Sequence, residues 1–287
     1  MKFSKAHAYG NDFLYVAAAE AAGRPPDALA RELCDRHTGI GADGLILYAP
    51  AGDGVHDLRP QGVSAGDGGR PHAMRLFNAD GSPSEVSGNG VRGLAALLLR
   101  DEAQAAVDIT IQTDAGIKRL ARTGVDGSRQ TFRAAMGWPV DLRQTSLVAV
   151  GEKLHVVVMT FGNPQAVVLG PLPDDARFQR LGPAIERHEM FPARTNVEFA
   201  QVESPASVRI LIWERGVGPT WSSGTGSCAS LIAAAAFGGA DRSADVIAPG
   251  GIQRVEWEQD NVYLTGWAEV LFDGEWRRSL PRQSSPR

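Results

Sequence analysis

Cysteine is nearly missing from this sequence: Cys34 and Cys228 stand alone, too few for a disulfide framework and without the clustered partners of a zinc site. Such usage suits a reducing cytoplasm, and no metal is expected. An excess of one charge is missing too. The 29 Lys and Arg against 33 Asp and Glu give a net charge of -4, so no whole-chain basic field is available to hold nucleic acid or an anionic membrane. A small molecule is the expected partner. Long apolar runs are also absent: residues 94–99 and 231–237, the longest, fall well short of the roughly 18 residues a membrane span requires. Residues 1–13 pass through His7, Gly10, Asn11 and Asp12 and lack the apolar centre of a signal peptide, which sets Met1 as the expected start of the mature chain. Against these absences, 43% hydrophobic and 22% charged residues over 287 positions describe a globular protein with a sizeable core, built as one large domain or two modest ones.

Short apolar and β-branched runs between turn formers make up most of the chain. Residues 3–17 read as a hairpin, two strands about a Gly10-Asn11-Asp12 turn. Asp27 is the expected cap of a helix running to about Arg36, with Leu29, Leu33 and Arg36 at helical spacing, and Gly39, Gly41 and Gly44 end it. Residues 45–48 and 74–77 read as strands, the second leading into an Asp80-Gly81 hairpin signal. Residues 49–72, rich in Gly, Asp, Pro and Ala without a period, are expected to form a long hairpin loop with no chemistry. Further strands are expected at 108–113, 154–160, 208–214, 263–266 and 268–272, and the tail after Trp276 is expected to fray.

Two segments stand out because they repeat. Ser87-Gly88-Asn89-Gly90 runs into residues 91–99, and Ser223-Gly224-Thr225-Gly226 runs into residues 227–236; each is a Ser-Gly-polar-Gly loop followed by a helix apolar enough all round to lie buried inside a domain. The pattern predicts an α+β fold of two pseudo-symmetric domains, each a curved, mostly antiparallel sheet or barrel around one central helix, with the loops facing each other. The turn at residues 123–128 sets the expected division into domains 1–130 and 131–265, with a strand in 266–280 returning to the first. A helix N-terminus offers free N–H groups and about half a positive charge, and glycine lets an anion approach closely, so each loop is an anion seat. Two seats on one carboxylate would also stabilise the dianion formed when the adjacent carbon loses its proton. Neither loop has the lysine of a phosphate-binding loop or the glycine spacing of a dinucleotide fingerprint, so nucleotide phosphate is the poorer ligand.

Taken in order, Gly10-Asn11-Asp12-Phe13, Cys34-Asp35-Arg36-His37 with Gly41-Ala42-Asp43-Gly44, Phe77-Asn78-Ala79-Asp80-Gly81, Gly88-Asn89-Gly90-Val91-Arg92, Gly162-Asn163-Pro164, Phe191-Pro192, Thr195-Asn196-Val197-Glu198-Phe199, Glu214-Arg215-Gly216 and Gly224-Thr225-Gly226 resemble the diaminopimelate epimerase family over nearly the whole chain. The resemblance implies a cytoplasmic isomerase of lysine and peptidoglycan biosynthesis that interconverts LL- and meso-diaminopimelate without cofactor. It also implies a homodimer built through edge strands, near Phe272. The positions that hold substrate in that family correspond to Asn11, Asn78, Gly88, Asn89, Asn163, Asn196, Arg215, Gly224 and Thr225, with Arg215 making a bidentate contact to the far carboxylate of an anionic amino acid. In that family a cysteine heads each glycine loop, one removing the α-proton and the other returning one. Ser87 and Ser223 hold those positions here, and Gln165 stands where the family usually carries a histidine.

A thiol of pKa about 8.5 supplies thiolate at modest cost, whereas an unassisted hydroxyl is a much weaker acid. A two-thiol mechanism is therefore closed to this chain. Cys228 is no substitute, because it lies five residues along the helix from Ser223 and points about 140° away. It reads as a small core residue, as does Cys34. His7 and His37 read as backbone-bonding and Asp43 as a turn former. Glu214, beside Arg215 at a strand end, is the best candidate for a general base that assists or replaces a serine. Three functions follow from these residues: an epimerase with Ser87 and Ser223 as hydroxyl relays assisted by Glu214, a same-fold isomerase or dehydratase on another anionic amino acid that uses Glu214, and a non-catalytic amino-acid-binding protein.

Overall fold

The computed structural model describes residues 1–50 and 72–277, so most of the loop expected at 49–72, and the tail from residue 278, lie outside the described residues. The first half opens with β1 (Lys2–Ala8) and β2 (Asn11–Ala17), a hairpin that turns at Tyr9 and Gly10, both at positive φ (57° and 87°). Helix α1 (Pro26–Cys34) follows, then β3 (Gly44–Pro50), parallel to β2, and β4 (His72–Asn78), antiparallel to β3. The Asp80-Gly81 turn carries the chain into β5 (Pro83–Ser84), and then come α2 (Gly88–Leu98), β6 (Val107–Thr113), β7 (Gly116–Asp126) and β8 (Arg129–Gly137).

The second half holds β9 (Val140–Ala149), β10 (Glu152–Phe161), β11 (Asn163–Leu169), α3 (Asp175–Glu186), β12 (Asn196–Ser204), β13 (Ser207–Glu214) and β14 (Gly218–Thr220). It continues through α4 (Gly224–Ala233), a π-helical turn (Ala234–Gly238), β15 (Ser243–Ala248) and β16 (Gly251–Trp257), and closes with β17 (Val262–Glu275).

Each half wraps its strands around one helix. Leu94, Ala95 and Ala96 of α2 pack with Phe13, Tyr15, Ile46, Leu76, Ile111 and Phe132, while Leu231, Ile232 and Ala233 of α4 pack with Val157, Phe161, Val167, Ile210, Val255 and Leu264. The period-2 alternation of a strand decides which way each residue points. On β2, Phe13 and Tyr15 face α2, and Leu14 and Val16 join the outer cluster of α1 with Leu29 and Leu33. On β10, Val157, Met159 and Phe161 face α4, while Val156 and Val158 face α3 through Phe178, Leu181 and Ile185. Both faces of these strands are thus covered, which is why they read as continuous apolar runs.

Three expectations need correction. Asp27 does not cap α1: Pro25 stands at the cap without a side-chain bond, and Asp27 lies in the first turn, paired with Arg31 at 2.6 Å. That helix stops at Cys34, two residues before Arg36, because the Asp35 carboxylate accepts the backbone N–H groups of His37 and Thr38 and turns the chain. Residues 263–266 and 268–272 form one strand, β17, and Gly127-Ser128 forms the turn of the β7–β8 hairpin. Helix α3 escaped sequence reading; Asp174 caps it by accepting from Arg177 N at 2.8 Å. Strand β17 ties the chain end to its start, pairing with β8 from Val262 to Glu269 and with β1 from Glu269 to Glu275.

Candidate active site

Ser87 and Ser223 are both helix N-caps with nearly the same backbone: φ and ψ are -128° and 124° at Ser87, and -136° and 125° at Ser223. Extended backbone at the cap turns the side-chain oxygen back over the first turn. Ser87 Oγ accepts from Gly90 N at 3.1 Å and Ser223 Oγ accepts from Gly226 N at 3.2 Å, with the Thr225 hydroxyl 3.4 Å from Ser223. The remaining N–H groups of each first turn are free for a ligand. Around a Cβ placed on Gly88 nothing lies within 4 Å, so this loop borders open space, whereas Gly224 lies against Leu264 and Met136. Helices α2 and α4 touch.

On the α2 side, Asn89 Nδ2 donates to Asn11 Oδ1 at 3.2 Å, and Asn11 Nδ2 donates to Asp43 Oδ2 at 2.7 Å. Asp43 also accepts from Asp12 N at 3.1 Å and from Arg36 at 2.8 Å, so it anchors this corner and is more than a turn former. Asn78 sits beside it through Ala79 N, which donates to the Asp43 carbonyl at 3.0 Å, and one N–H of the Asn78 amide donates to Ser82 Oγ at 3.0 Å. His7 bonds backbone as expected, its Nδ1 accepting from Gly10 N at 3.2 Å.

On the α4 side, two carboxyl groups close on Ser223. Glu214 ends β13 and accepts from Thr220 Oγ1 at 3.1 Å. Burial pushes its carboxyl above the ordinary carboxylate value, the bonded Thr220 hydroxyl and the nearby Ser223 hydroxyl draw it back, and the Asp43 carboxylate pushes it up again. That last effect spans the two halves of the chain. Glu198 on β12 is wholly buried behind the same loop, and a Cβ on Gly226 would stand 2.7 Å from its Oε1. Burial, and after it the nearby Glu214, hold its carboxyl well above the usual range.

Gln165 completes this wall. With its amide nitrogen toward Glu198, the orientation that satisfies its neighbours, it donates to that carboxyl at 3.0 and 3.2 Å and accepts from Asn196 Nδ2 at 3.2 Å. The Asn163 amide lies against it as well. Asn196 Oδ1 accepts from Arg215 N at 2.8 Å, and buried Glu186 accepts from Gly216 N at 3.0 Å and Trp213 Nε1 at 2.9 Å, which fixes the Glu214-Arg215-Gly216 corner. The exposed Arg215 guanidinium donates to the Ala193 carbonyl at 3.1 Å. Trp221, 67% exposed, lies over Gly10 from the other half, where a Cβ would stand 2.7 Å from its ring. Cys34 and Cys228 are buried and free; burial pushes the Cys34 thiol up to about 12 and raises that of Cys228 too, so neither supplies thiolate. Among the described residues no group of His, Cys, Asp and Glu could hold a metal ion.

Residues 3–140 and 157–271 match the family described as diaminopimelate epimerase. The chain belongs to that family. A diaminopimelate epimerase from Desulforudis audaxviator is 41% identical to it, over 97% of this chain and 100% of the relative. One from Methanococcus maripaludis is 35% identical over 96% of this chain and 99% of its own length. Among solved structures, a probable proline racemase from Agrobacterium radiobacter superposes with a TM-score of 0.69 at 16% identity, covering 99% of this chain and 94% of the other. A predicted epimerase from Pseudomonas aeruginosa superposes at 0.67 and 16% identity, covering 97% and 99%. At such identities these two speak for the fold, the α+β architecture that the repeated loops predict.

Proposed function

We propose that this chain is an isomerase that interconverts LL- and meso-diaminopimelate by moving a proton at the α-carbon, with Ser87 and Ser223 on opposite faces of that carbon. The observation that carries the reading is the buried Glu214 carboxyl near the Ser223 hydroxyl, at the head of a helix whose capped geometry is duplicated at Ser87. A helix N-terminus stabilises an anion by roughly 0.3 to 2 kcal/mol, against about 1.4 kcal/mol for every pKa unit, so it does not by itself produce an alkoxide at neutral pH. Concerted transfer avoids that species: Ser223 takes the α-proton as it passes its own to Glu214. The raised pKa of Glu214 makes it a stronger base than an ordinary carboxylate. On the other face Ser87, half-buried, gives its proton to the carbanion as it takes one from water, and the hydroxide left is neutralised by the proton that Glu214 releases to solvent.

The free N–H groups of both loops would hold the α-carboxylate, Asn11, Asn78, Asn89, Asn163 and Asn196 would surround the amine and carboxyl groups, and Arg215 would meet the far carboxylate. Arg215 has donors to spare for this, since its described side-chain bond uses one. We place the division between the two domains after β8 rather than at residue 130, since β8 pairs with β7 from Arg129 to Ala134, and we assign the end of β17 to the first domain.

We further propose a cytoplasmic homodimer. Both thiols are free, and no described helix is long and apolar enough to cross a membrane. Past Glu269 strand β17 has β1 on one side and no described strand on the other, and the exposed Leu271 and Phe272 flank a cavity of about 300 Å³ lined also by Val125 and Val270. Deuterium incorporation at the α-position of LL-diaminopimelate in D2O tests the central reading. Exchange accompanied by meso product supports it, and absence of both at high enzyme concentration overturns it.

A further inference from the structure

The fifth residue of α2 is an arginine that helix and solvent energetics both disfavour. Arg92 is 1% exposed, and its cation stands near the N-terminal, positive end of a helix, where a negative charge is the favoured one. The groups that bear on its charge are Tyr9, Tyr15 and Cys228, whose own ionisation burial pushes up, so all are neutral at neutral pH. Its guanidinium lies over the Tyr9 ring at 5.8 Å, and Gly266 of β17 leaves room for both, since a Cβ there would stand 3.0 Å from Tyr9 Oη and 3.4 Å from Arg92 Cζ. Nε has no hydrogen-bond partner. A buried guanidinium without a carboxylate is costly, so a chain that keeps one has a use for the charge.

One donor of Arg92 does find a partner: Nη2 donates to Asn89 Oδ1. That contact decides the orientation of the Asn89 amide. With Oδ1 occupied from below, Nδ2 points into the loop, where one of its two N–H groups reaches Asn11 Oδ1 at 3.2 Å and the other is left for a ligand. The polarity continues through Asn11 Nδ2 to Asp43, which ends the chain of amides on a carboxylate that Arg36 already neutralises. Arg92 therefore remains uncompensated at the end of the chain nearest the Ser87 loop.

We infer that Arg92 is a positioning residue for the anionic substrate, turning the Asn89 amide so that it donates into the Ser87 loop and leaving a buried cation whose counter-ion is the bound carboxylate. The inference rests on the reading of that loop as a carboxylate seat. It assigns affinity and proton transfer, rather than folding, as the use of the charge.

The test compares Arg92→Met and Arg92→Lys with the wild-type chain by thermal unfolding, by calorimetric binding of meso-diaminopimelate at two salt concentrations, and by α-deuterium exchange. Arg92→Met is expected to unfold at or above the wild-type temperature, to bind at least tenfold more weakly, and to lose part of the salt dependence of binding. Arg92→Lys is expected to recover a measurable part of the affinity. A residue needed only for packing behaves otherwise: Arg92→Met unfolds early, and folded Arg92→Lys binds no better than the neutral variant. Either result, or wild-type affinity and exchange in Arg92→Met, overturns the inference. Failure of the functional reading shows instead in the wild-type chain, which then neither binds nor exchanges, and that removes both.

Discussion

The Glu214 carboxyl lies near the Ser223 hydroxyl at the head of α4, and the counterpart of Ser223 at the head of α2, Ser87, has only the Gly90 N–H on its oxygen among the described contacts. The two loops are alike in backbone and unlike in chemistry. Glu214→Gln is accordingly expected to lower α-proton exchange by something on the order of 10²–10⁴-fold, the usual worth of a positioned general base, while binding of diaminopimelate changes little. Single-turnover exchange together with calorimetry checks this split.

The same pair sets the pH dependence. As the proposed base Glu214 would act only when ionised, and its pKa is raised, so kcat/KM is expected to rise with pH through an acidic limb centred above 4.5, the ordinary value for glutamate. Glu214→Gln is expected to lose that limb. A profile with its limb at or below the ordinary value would show that another group governs the step.

Glu198 offers a stability measurement free of catalysis. Its folded pKa lies well above its unfolded value near 4.5, so the stability it contributes is complete below that value and is lost as pH rises through the folded value. Glutamine keeps the shape of the neutral acid and its acceptor for Gln165 but never ionises. Glu198→Gln is therefore expected to be near neutral at acid pH and increasingly stabilising toward pH 8, by about 1.4 kcal/mol per pH unit across the interval between the two pKa values. Denaturant midpoints at several pH values between 4 and 8 read this directly.

A fourth expectation concerns the approach of β2 to α2. Tyr15 Oη donates to the Gly90 carbonyl at 3.0 Å, and a Cβ on Gly93 would stand 2.0 Å from that oxygen. Gly93→Ala is expected to destabilise the chain by about 1–3 kcal/mol through overpacking and to disturb the Ser87 loop. Tyr15→Phe in the same chain removes the clashing oxygen, so the double variant is expected to recover part of the loss; thermal unfolding of the four-member cycle measures the coupling.

The elements that sequence reading located were those with strong local signals. Gly10 and Gly81 at positive φ mark the two turns, and the Ser-Gly-polar-Gly loops with their apolar helices gave both caps and both cores. Helix α3 has a weak local signal although Phe178, Leu181 and Ile185 keep helical spacing, because Gly182 and Pro183 inside it have low helix propensity. Gly182 is there because Trp213 fills the space a side chain would take, at 2.5 Å, a constraint that local sequence does not carry. Gly266 likewise read as a strand end, whereas it makes room for Tyr9 and Arg92 inside β17. At the site, Glu214 stands out in the sequence by its place beside Arg215. The involvement of Asp43, Glu186 and Glu198 does not, since it arises from partners far away in the chain: Asn11, Gly216 and Gln165.

The claim that two serine-headed loops address one α-carbon is tested most directly by supplying the stronger acid at both. Ser87→Cys/Ser223→Cys is expected to exchange the α-proton of LL-diaminopimelate in D2O, and to form meso product, faster than the wild-type chain, whereas either single cysteine gains less. A double variant that folds and binds diaminopimelate yet exchanges no faster than the wild-type chain would contradict it.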